Sequence, residues 1–370
     1  MTTSFGINDF KADCRYFKAD VPCKFHKLDK RSCVDCENYE KIDKRILIVK
    51  LGAMGDVIRT TPLLRKLKEL YPNSEITWIT YFPDVLPKAV DVPLEFNVMN
   101  VIKLQADHFD VLYSLDKDPE AVALANLIKA DIKKGYKLEN GKAAPIDADA
   151  HGKFLTGLHD GINKENVYSY VEEIFQITGL SYSNEKYLLD KPPKLVNDQL
   201  NKMKRPIIML NTGCGDRWPT RIWPDDNWME LTNMLKEAGY TPLLVGGQNE
   251  DLKNKYMAQH SSARYIGVLP MNEFISLVNE CDLMVTCATM ALHIALGLEK
   301  KIVLMNNIFN KNEFELYGQG VVLEPEADNR VLECLSCFKS SCDKKCLELI
   351  TPKIVFDKVV ELMESKNNMT

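Results

Sequence analysis

Hydrophobic and polar residues along the chain alternate between two patterns. Short apolar runs rich in β-branched residues, such as RILIVKL at residues 45–51, are typical of strands covered on both faces. Between these runs, apolar residues recur on one helical face, as Leu63, Leu67 and Leu70 do. Alternation of strands with helices predicts a doubly wound parallel sheet.

This alternation occurs twice, and a proline-containing stretch at residues 191–194 separates the two series. We therefore expect an α/β fold with two Rossmann-like, doubly wound domains that face a cleft, where the carboxyl ends of the strands place ligands. The predicted boundaries are a Cys-rich cap at 1–43, a first domain at 44–190, a second domain at 191–350 and a last helix at 351–370.

Two segments of the first domain need interpretation. One helix is predicted over residues 57–70, although a helix tolerates Pro62 only in its first turn or at a kink. Residues 135–165 are rich in Gly, Asp, Asn and His and lack clear periodicity. We interpret them as a long functional loop.

Composition and charge indicate a globular protein and argue against a nucleic-acid-binding or membrane-spanning one. The 370 residues are 45% apolar and 27% charged, ordinary values for a globular protein with room for two domains. The net charge of −5 argues against a nucleic-acid partner, whose binding requires a basic face. No apolar run approaches the ~20 residues of a membrane span, and the polar N-terminus lacks a signal-peptide pattern. We therefore expect a cytoplasmic location, which leaves room for peripheral membrane contact.

The stretch KLGAMGD at residues 50–56 lies where the first strand turns into a helix. Its glycines allow the backbone to approach a ligand, and a helix N-terminus favours negative charge there. Asp56 can either cap this helix or act as a general base on a hydroxyl group. The turn does not match GxGxxG, so a dinucleotide site is not indicated.

The loop after the first strand of the second domain spans residues 211–224. Thr212 and Gly213 follow the strand directly and suit close approach of a phosphate. Arg217 and Arg221 can neutralise a diphosphate leaving group, for which the guanidinium fork is suited. A surface loop with two solvated arginines is an equally good interpretation of these residues alone.

A third candidate position is the strand end at residues 246–250, with the sequence GGQNE. Gly247 allows a tight turn at this position. Glu250 can hold ribose hydroxyls, whereas the commoner role of a glutamate here is to begin a helix.

A fourth strand end leads into a helix at residues 286–293. Thr289 can cap this helix or contact a phosphate, and the free N–H groups of Met290 and Ala291 can bind the same anion. His293 follows one turn later, where a lone histidine is more often structural than a ligand.

The cysteines fall into two clusters. In a reducing compartment, clustered cysteines indicate metal ligands before disulfides, and both clusters can hold a structural ion. Reduced thiols or disulfides are the alternative, and His26 is a rival ligand in the first cluster. The N-terminal cluster is Cys14, Cys23, Cys33 and Cys36, and the C-terminal cluster is Cys334, Cys337, Cys342 and Cys346.

The order of these motifs resembles glycosyltransferase family 9, the family of the ADP-heptose:lipopolysaccharide heptosyltransferases. The similarity covers roughly residues 44–365 and includes KLGAMGD, TTPLLRKLKELYP, RIWP, GGQNE and TMALHIALGL. It implies the two-domain GT-B fold, with an acceptor-side first domain and a second domain that binds a nucleotide sugar. It also implies inversion at the anomeric carbon without a catalytic metal.

The resemblance assigns roles position by position. Asp56 corresponds to the base that deprotonates the acceptor, and Arg221 to a residue at the donor diphosphate. The strand-end positions of the family fall on Thr212, Gly213, Glu250, Thr289 and His293. Related autotransporter heptosyltransferases carry a Cys-ligated iron, which implies iron or zinc at the C-terminal cysteines.

The chain also departs from the family pattern. Ala288 stands where the family has a donor-facing Asp, and Met290 and Ala291 replace its Gly and Pro. The inserted residues Arg217 and Trp218 are candidates to substitute for the missing carboxylate.

The function implied is that of an inverting glycosyltransferase. We expect it to move a sugar, heptose from ADP-heptose first, to a glycan, lipopolysaccharide-type, lipid-linked or protein acceptor. One alternative is a nucleotide-sugar epimerase. The other is a non-catalytic nucleotide-sugar-binding or assembly protein, and its main support is that Ala288 replaces the Asp of the family.

Overall fold

The computed structural model describes residues 6–215, 217–328 and 330–365. These residues form two compact units. The first lies within Met1–Leu51, Leu63–Pro83 and Lys88–Asp147. The second lies within Gly52–Pro62, Asp84–Pro87 and Ala148–Thr370, so the glycine turn that follows the first strand belongs to it.

The sheet of the first unit has the order β3-β2-β1-β4-β5-β6. Strands β1 to β5 run parallel, and β6 pairs antiparallel with β5. The six strands are β1 (Lys44–Val49), β2 (Ser74–Thr80), β3 (Val92–Glu95), β4 (His108–Ser114), β5 (Lys129–Glu139) and β6 (Lys142–Pro145). The parallel part has the order of a doubly wound sheet.

The sheet of the second unit is parallel throughout, with the order β9-β8-β7-β10-β11-β12. Its strands are β7 (Ile207–Asn211), β8 (Thr241–Val245), β9 (Arg264–Tyr265), β10 (Leu283–Cys287), β11 (Lys301–Met305) and β12 (Gly320–Leu323). A small antiparallel ribbon joins β13 (Glu326–Ala327) and β14 (Arg330–Val331). The predicted α/β fold with two Rossmann-like sheets is thus confirmed.

Helices connect the strands. In chain order they are α1 (Lys24–Asp29), α2 (Met54–Ile58), α3 (Pro62–Leu70), α4 (Val98–Ala106), α5 (Pro119–Leu127), α6 (His151–Thr156), α7 (Asp160–Glu165), α8 (Tyr170–Thr178), α9 (Asp198–Asn201), α10 (Asp225–Glu237), α11 (Asp251–His260), α12 (Met271–Glu280), α13 (Met290–Gly297) and α14 (Pro352–Glu364). Within the described part of the chain, none of these helices is long and apolar enough to cross a membrane.

Each unit has its own hydrophobic core, because helices cover both faces of its central strands. In the first unit, β1 and β4 contribute Leu47, Val49 and Leu112 to this core. In the second unit, the indole rings of Trp223 and Trp228 pack edge to face, with centroids 4.8 Å apart, and both are buried.

Two predictions about the segments around the first sheet are wrong. The helix expected over 57–70 is two helices, because Pro62 fits the first position of α3 but not a helix interior. Residues 135–165 are not a loop: they contain the β5–β6 hairpin, α6 and α7. Asn140 and Gly141 form the hairpin turn with φ of 51° and 75°, the left-handed backbone that an Asn-Gly turn provides.

Within the second unit, α2 lies against α13 at a glycine. A Cβ atom at Gly55 would lie 2.8 Å from Cδ2 of His293, so only glycine allows this approach. His293 is buried, and its Nδ1 lies 3.3 Å from the Tyr187 hydroxyl. Burial and the nearby positive charge of Arg59 lower the pKa of His293 to about 3, although Asp56 opposes this shift. His293 is therefore neutral at physiological pH.

This burial makes stability depend on pH. An unfolded histidine has a pKa near 6.5, so the unfolded chain binds the proton more readily than the folded one between pH 6.5 and about 3. The contribution of neutral His293 is complete above pH 6.5 and is lost as the pH falls through this window. We expect the urea midpoint of the wild type to fall more steeply from pH 7 to pH 4 than that of His293→Gln. If the urea midpoints of the two proteins fell equally with pH, burial of neutral His293 would not be the source of the pH dependence.

Candidate active site

Asp56 lies in the first turn of α2, where a carboxylate interacts favourably with the helix dipole. The N-cap residue is Ala53, so Asp56 does not have the capping role that was one interpretation of the sequence. Its Oδ1 accepts hydrogen bonds from Arg59, 2.9 Å from Nε and 2.8 Å from Nη2. The Asp56 side chain remains 33% exposed, so the carboxylate is accessible.

Arg59 is itself held from several sides. Its guanidinium stacks 3.4 Å from the ring centroid of Tyr170, and Nη1 lies 3.8 Å from Oε2 of Glu313. Burial lowers the pKa of Arg59, but the charges of Asp56 and Glu313 more than offset it, so the net pKa is raised. Arg59 is therefore a fixed cation that orients Asp56.

Both residues line a cavity of about 770 Å³ within the second unit. The strand ends that the sequence singled out line it as well, through Gly213, Arg217, Arg221, Gly247, Glu250, Thr289, Met290 and His293. Thr212 does not line it: its hydroxyl donates to Oδ1 of Asn254, at 2.7 Å, and its side chain is buried. The structure thus brings together all the predicted donor-site residues except Thr212.

Arg221 differs from Arg217 in its surroundings. Its side chain is 8% exposed, whereas Arg217 is exposed. The Arg221 guanidinium donates to the carbonyl oxygens of Ala288 and Cys214, the latter at 2.6 Å. Its Nε has no hydrogen-bond partner among the described residues, and burial lowers its pKa. Its guanidinium also lies 5.2 Å from the ring centroid of Phe309. A buried cation that lines a cavity and has no carboxylate among the partners described here is suited to bind an anion.

Hydrogen bonds of Asn211 organise the backbone next to Ala288. Nδ2 of Asn211 donates to Gly213 O and to the hydroxyls of Thr286 and Thr289, at 3.0–3.1 Å. These bonds tie the end of β7 to the start of α13. The first turn of α13 then presents free backbone N–H groups to the cavity next to Thr289.

Glu250 has a structural role at the glycine turn. Its Oε2 accepts a hydrogen bond of 2.8 Å from Gly247 N. A Cβ atom at Gly213 would lie 2.6 Å from the carboxyl carbon of Glu250, so this carboxylate occupies the space that glycine leaves open. Glu250 therefore fixes the ends of β7 and β8 together while it borders the cavity.

Sequence reasoning missed several cavity residues. One wall is apolar and comes from the segment between β9 and the first turns of α12, with Val268, Leu269, Met271 and Phe274. Their apolar character gave no signal that distinguishes a ligand wall from a core. Arg59 was detectable, because an acidic residue and an arginine three positions apart pair on a helix.

The C-terminal cysteines lie in a segment that packs against the loop bearing Arg221. The Thr220 hydroxyl donates to Lys339 O at 2.8 Å, and Nδ2 of Asn307 contacts both Thr220 O and Cys346 Sγ. All four cysteines are free, and Cys334 and Cys342 are exposed. Among residues 6–215, 217–328 and 330–365, no group of three His, Cys, Asp or Glu side chains is placed to hold a metal. The C-terminal cysteines are not gathered around one point in this arrangement, and the iron or zinc that the resemblance implied there stays a prediction.

Comparisons with known proteins identify the family of this chain. The model of glycosyltransferase family 9 (heptosyltransferase) matches residues 101–346. A lipooligosaccharide heptosyltransferase 2 from Haemophilus influenzae is 20% identical over 352 residues, with 86% of this chain and 99% of that protein covered.

Two solved structures share the fold. A family 9 glycosyltransferase from Veillonella parvula superposes with a TM-score of 0.63 at 18% identity, over 88% of this chain and 98% of that one. An Escherichia coli heptosyltransferase with ADP-2-deoxy-2-fluoro heptose superposes with a TM-score of 0.58 at 16% identity, over 86% and 99%. The protein is a glycosyltransferase and belongs to glycosyltransferase family 9, the heptosyltransferase family.

Proposed function

We propose that the protein transfers heptose from ADP-heptose to a hydroxyl group of a lipopolysaccharide-type glycan, with inversion and with Asp56 as the general base. The observation that carries this proposal is that Asp56 and the buried cation Arg221 line the same cavity of the second unit. The names of the curated relatives support the donor sugar and the class of acceptor.

The proposed reaction is a single displacement. The acceptor oxygen forms a bond to the anomeric carbon while the bond between that carbon and the donor diphosphate breaks. The electron pair of the broken bond leaves with ADP, and the acceptor proton passes to the carboxylate of Asp56. The sugar's configuration inverts because attack and departure occur on opposite faces.

Arg221 and the N-terminal turn of α13 stabilise the leaving group. Negative charge grows on the diphosphate as the bond breaks, and a guanidinium together with oriented N–H groups favours that charge. These groups perform the neutralisation for which other transferases use a metal ion, so the proposal requires no catalytic metal.

Arg59 is the positioning residue for Asp56. It donates two N–H groups to Oδ1 and thereby fixes the orientation of the carboxylate that takes the acceptor's proton. Glu313 and Tyr170 hold the guanidinium in place, so the direction of the carboxylate is set before substrate binds.

The apolar wall of the cavity favours a donor with a purine base. Phe274 and Met271 offer flat and adaptable apolar surface next to the glycine turn of β8, where a base can pack. A purine buries more area on such a wall than a pyrimidine does.

We therefore expect ADP to raise the thermal midpoint more than UDP at equal concentration. Stabilisation follows the ligand's affinity for the folded protein, so the larger shift identifies the better-bound nucleotide. The measurement is a thermal melt with ADP, UDP and GDP, followed by assays with the matching sugar donors. A larger shift with UDP, together with transfer from UDP-sugars only, would contradict the ADP-heptose proposal.

Replacement of Asp56 tests the base. We expect Asp56→Asn to lower kcat by about 10²–10⁴-fold, because the amide cannot take the proton, while the thermal shift by ADP is retained. Asp226→Asn removes an exposed carboxylate outside the cavity of the same unit and serves as the control. Near-wild-type turnover of Asp56→Asn would exclude Asp56 as the base.

Replacement of Arg221 tests the diphosphate contact. Loss of a hydrogen bond to a charged group costs about 1.5–3 kcal/mol, so Arg221→Gln should weaken donor binding roughly 10–100-fold. The exposed Arg217→Gln is the matched control and should change donor affinity less. Isothermal titration with ADP measures both. Equal affinities for wild type and Arg221→Gln would mean that the diphosphate binds elsewhere.

A further inference from the structure

The N-terminal segment, residues 6–43, has a defined path but no core of its own. Regular structure is limited to one short 3₁₀ turn at Ile7–Asp9 and the helix α1. None of its side chains is buried, and the first buried hydrophobic residue of the chain described by the structure is Ile46. Segments of this size that lack a core are usually held by a disulfide, a metal or a partner.

Polar contacts fasten the ends of this segment to the first unit. Nη1 of Arg15 lies 2.5 Å from Oδ1 of Asp91, and its Nη2 donates to Ser74 O. The backbone N–H of Asp43 donates to Asn73 O at 3.3 Å. Exposed or half-exposed contacts of this kind contribute little each, so they do not explain what holds the middle of the segment.

The middle of the segment surrounds a cavity of about 380 Å³. The residues with ligand chemistry that line it are Cys14, Cys23, His26, Cys33 and Cys36. All four cysteines are free and half-buried. Arg31 also lines the cavity, and its guanidinium is paired with the carboxylate of Asp29.

His26 is oriented as a residue next to a metal often is. Its Nδ1 lies 2.9 Å from Arg31 O, which leaves Nε2 for another partner. Histidines at metal sites commonly use one ring nitrogen in this way to fix the tautomer and direction of the other.

We propose that this cavity is a structural site for a thiophilic ion, Zn²⁺, held by the thiolates of Cys14, Cys23, Cys33 and Cys36. Thiolate sulfur selects zinc or iron over hard cations, and four sulfurs complete a tetrahedral shell with no open position. His26 then lies beside the site without being a ligand. Because the site belongs to the first unit, it does not depend on the proposed transferase reaction.

Zinc binding must bring the four cysteine sulfurs closer together. In the described residues no three such groups are yet placed around one point, whereas a zinc ion requires sulfurs about 2.3 Å away. Each thiol releases its proton as it binds, and the loops that carry the cysteines close on the ion. Metal binding is thus coupled to ordering of this segment. The bound ion then provides the stabilisation that a hydrophobic core would otherwise provide.

The first test is the metal content of the full chain purified without chelator. We expect wild type to hold about one equivalent of zinc that Cys33→Ser/Cys36→Ser loses. Cys281→Ala removes a buried cysteine of the second unit and should keep the metal. A variant with serine at all four C-terminal cysteines should keep it too, which separates the two clusters.

Cobalt identifies the ligands. Co²⁺ in four thiolates gives intense sulfur-to-metal charge-transfer absorption, which we expect for wild type and unchanged for His26→Ala. A shift of the d–d bands in His26→Ala, together with a wild-type charge-transfer intensity of only three thiolates, would make the histidine a ligand and overturn the four-sulfur assignment.

Hydrogen exchange on the wild-type protein tests the site without a substitution, so its result does not depend on whether a cysteine variant folds. Removing zinc from the wild-type protein should raise exchange within residues 6–43 and leave the second unit unchanged. Wild type without zinc or iron, with no cobalt thiolate band and with exchange insensitive to zinc, would overturn the proposal. Thiol counting that finds two disulfides among these cysteines would also overturn it, and bound iron in place of zinc would overturn the choice of ion.

Discussion

The close approach of α2 to α13 is the constraint on which the catalytic cavity depends. Glycine at position 55 lets the backbone of α2 lie against the ring of His293, where a Cβ would be only 2.8 Å from Cδ2. That approach carries Asp56, one residue later, to the cavity that α13 and the ends of β7 and β8 surround. A histidine in this position has to be neutral, since a second cation next to Arg59 in a buried site would be costly.

Two of the arginines that line this cavity, Arg59 and Arg221, differ in their interaction partners. Arg59 is paired with carboxylates and directs one of them, Asp56. Among the described residues, the buried Arg221 instead contacts two carbonyl oxygens and the ring of Phe309. A cation that is already neutralised gains little from a phosphate, but one without a carboxylate partner gains much.

The sequence was sufficient for the parts of the molecule that local chemistry determines. Apolar runs such as Ile46–Val49 locate the central strands, and the glycine-containing strand ends locate most of the cavity. It was insufficient where tertiary contacts decide. Thr212 is adjacent to the site in sequence, but its hydroxyl donates to Asn254 on α11, and only this tertiary contact shows that it points away from the cavity lining. The hairpin at 129–145 was misread because its Asn-Gly turn was counted as loop composition rather than as a hairpin signal.

The two cysteine clusters show that spacing alone does not identify a metal site. Both have four cysteines and neither has three ligands gathered around one point, yet their surroundings differ. The C-terminal segment has two exposed cysteines and is held by direct contacts of Lys339 and Cys346 with the Arg221 loop and its neighbour Asn307. The N-terminal segment, residues 6–43, has no buried side chain, and all four of its cysteines line one cavity. A segment that other contacts already hold does not need an ion, whereas a segment without a core does, so the absence of buried apolar side chains is the more informative signal.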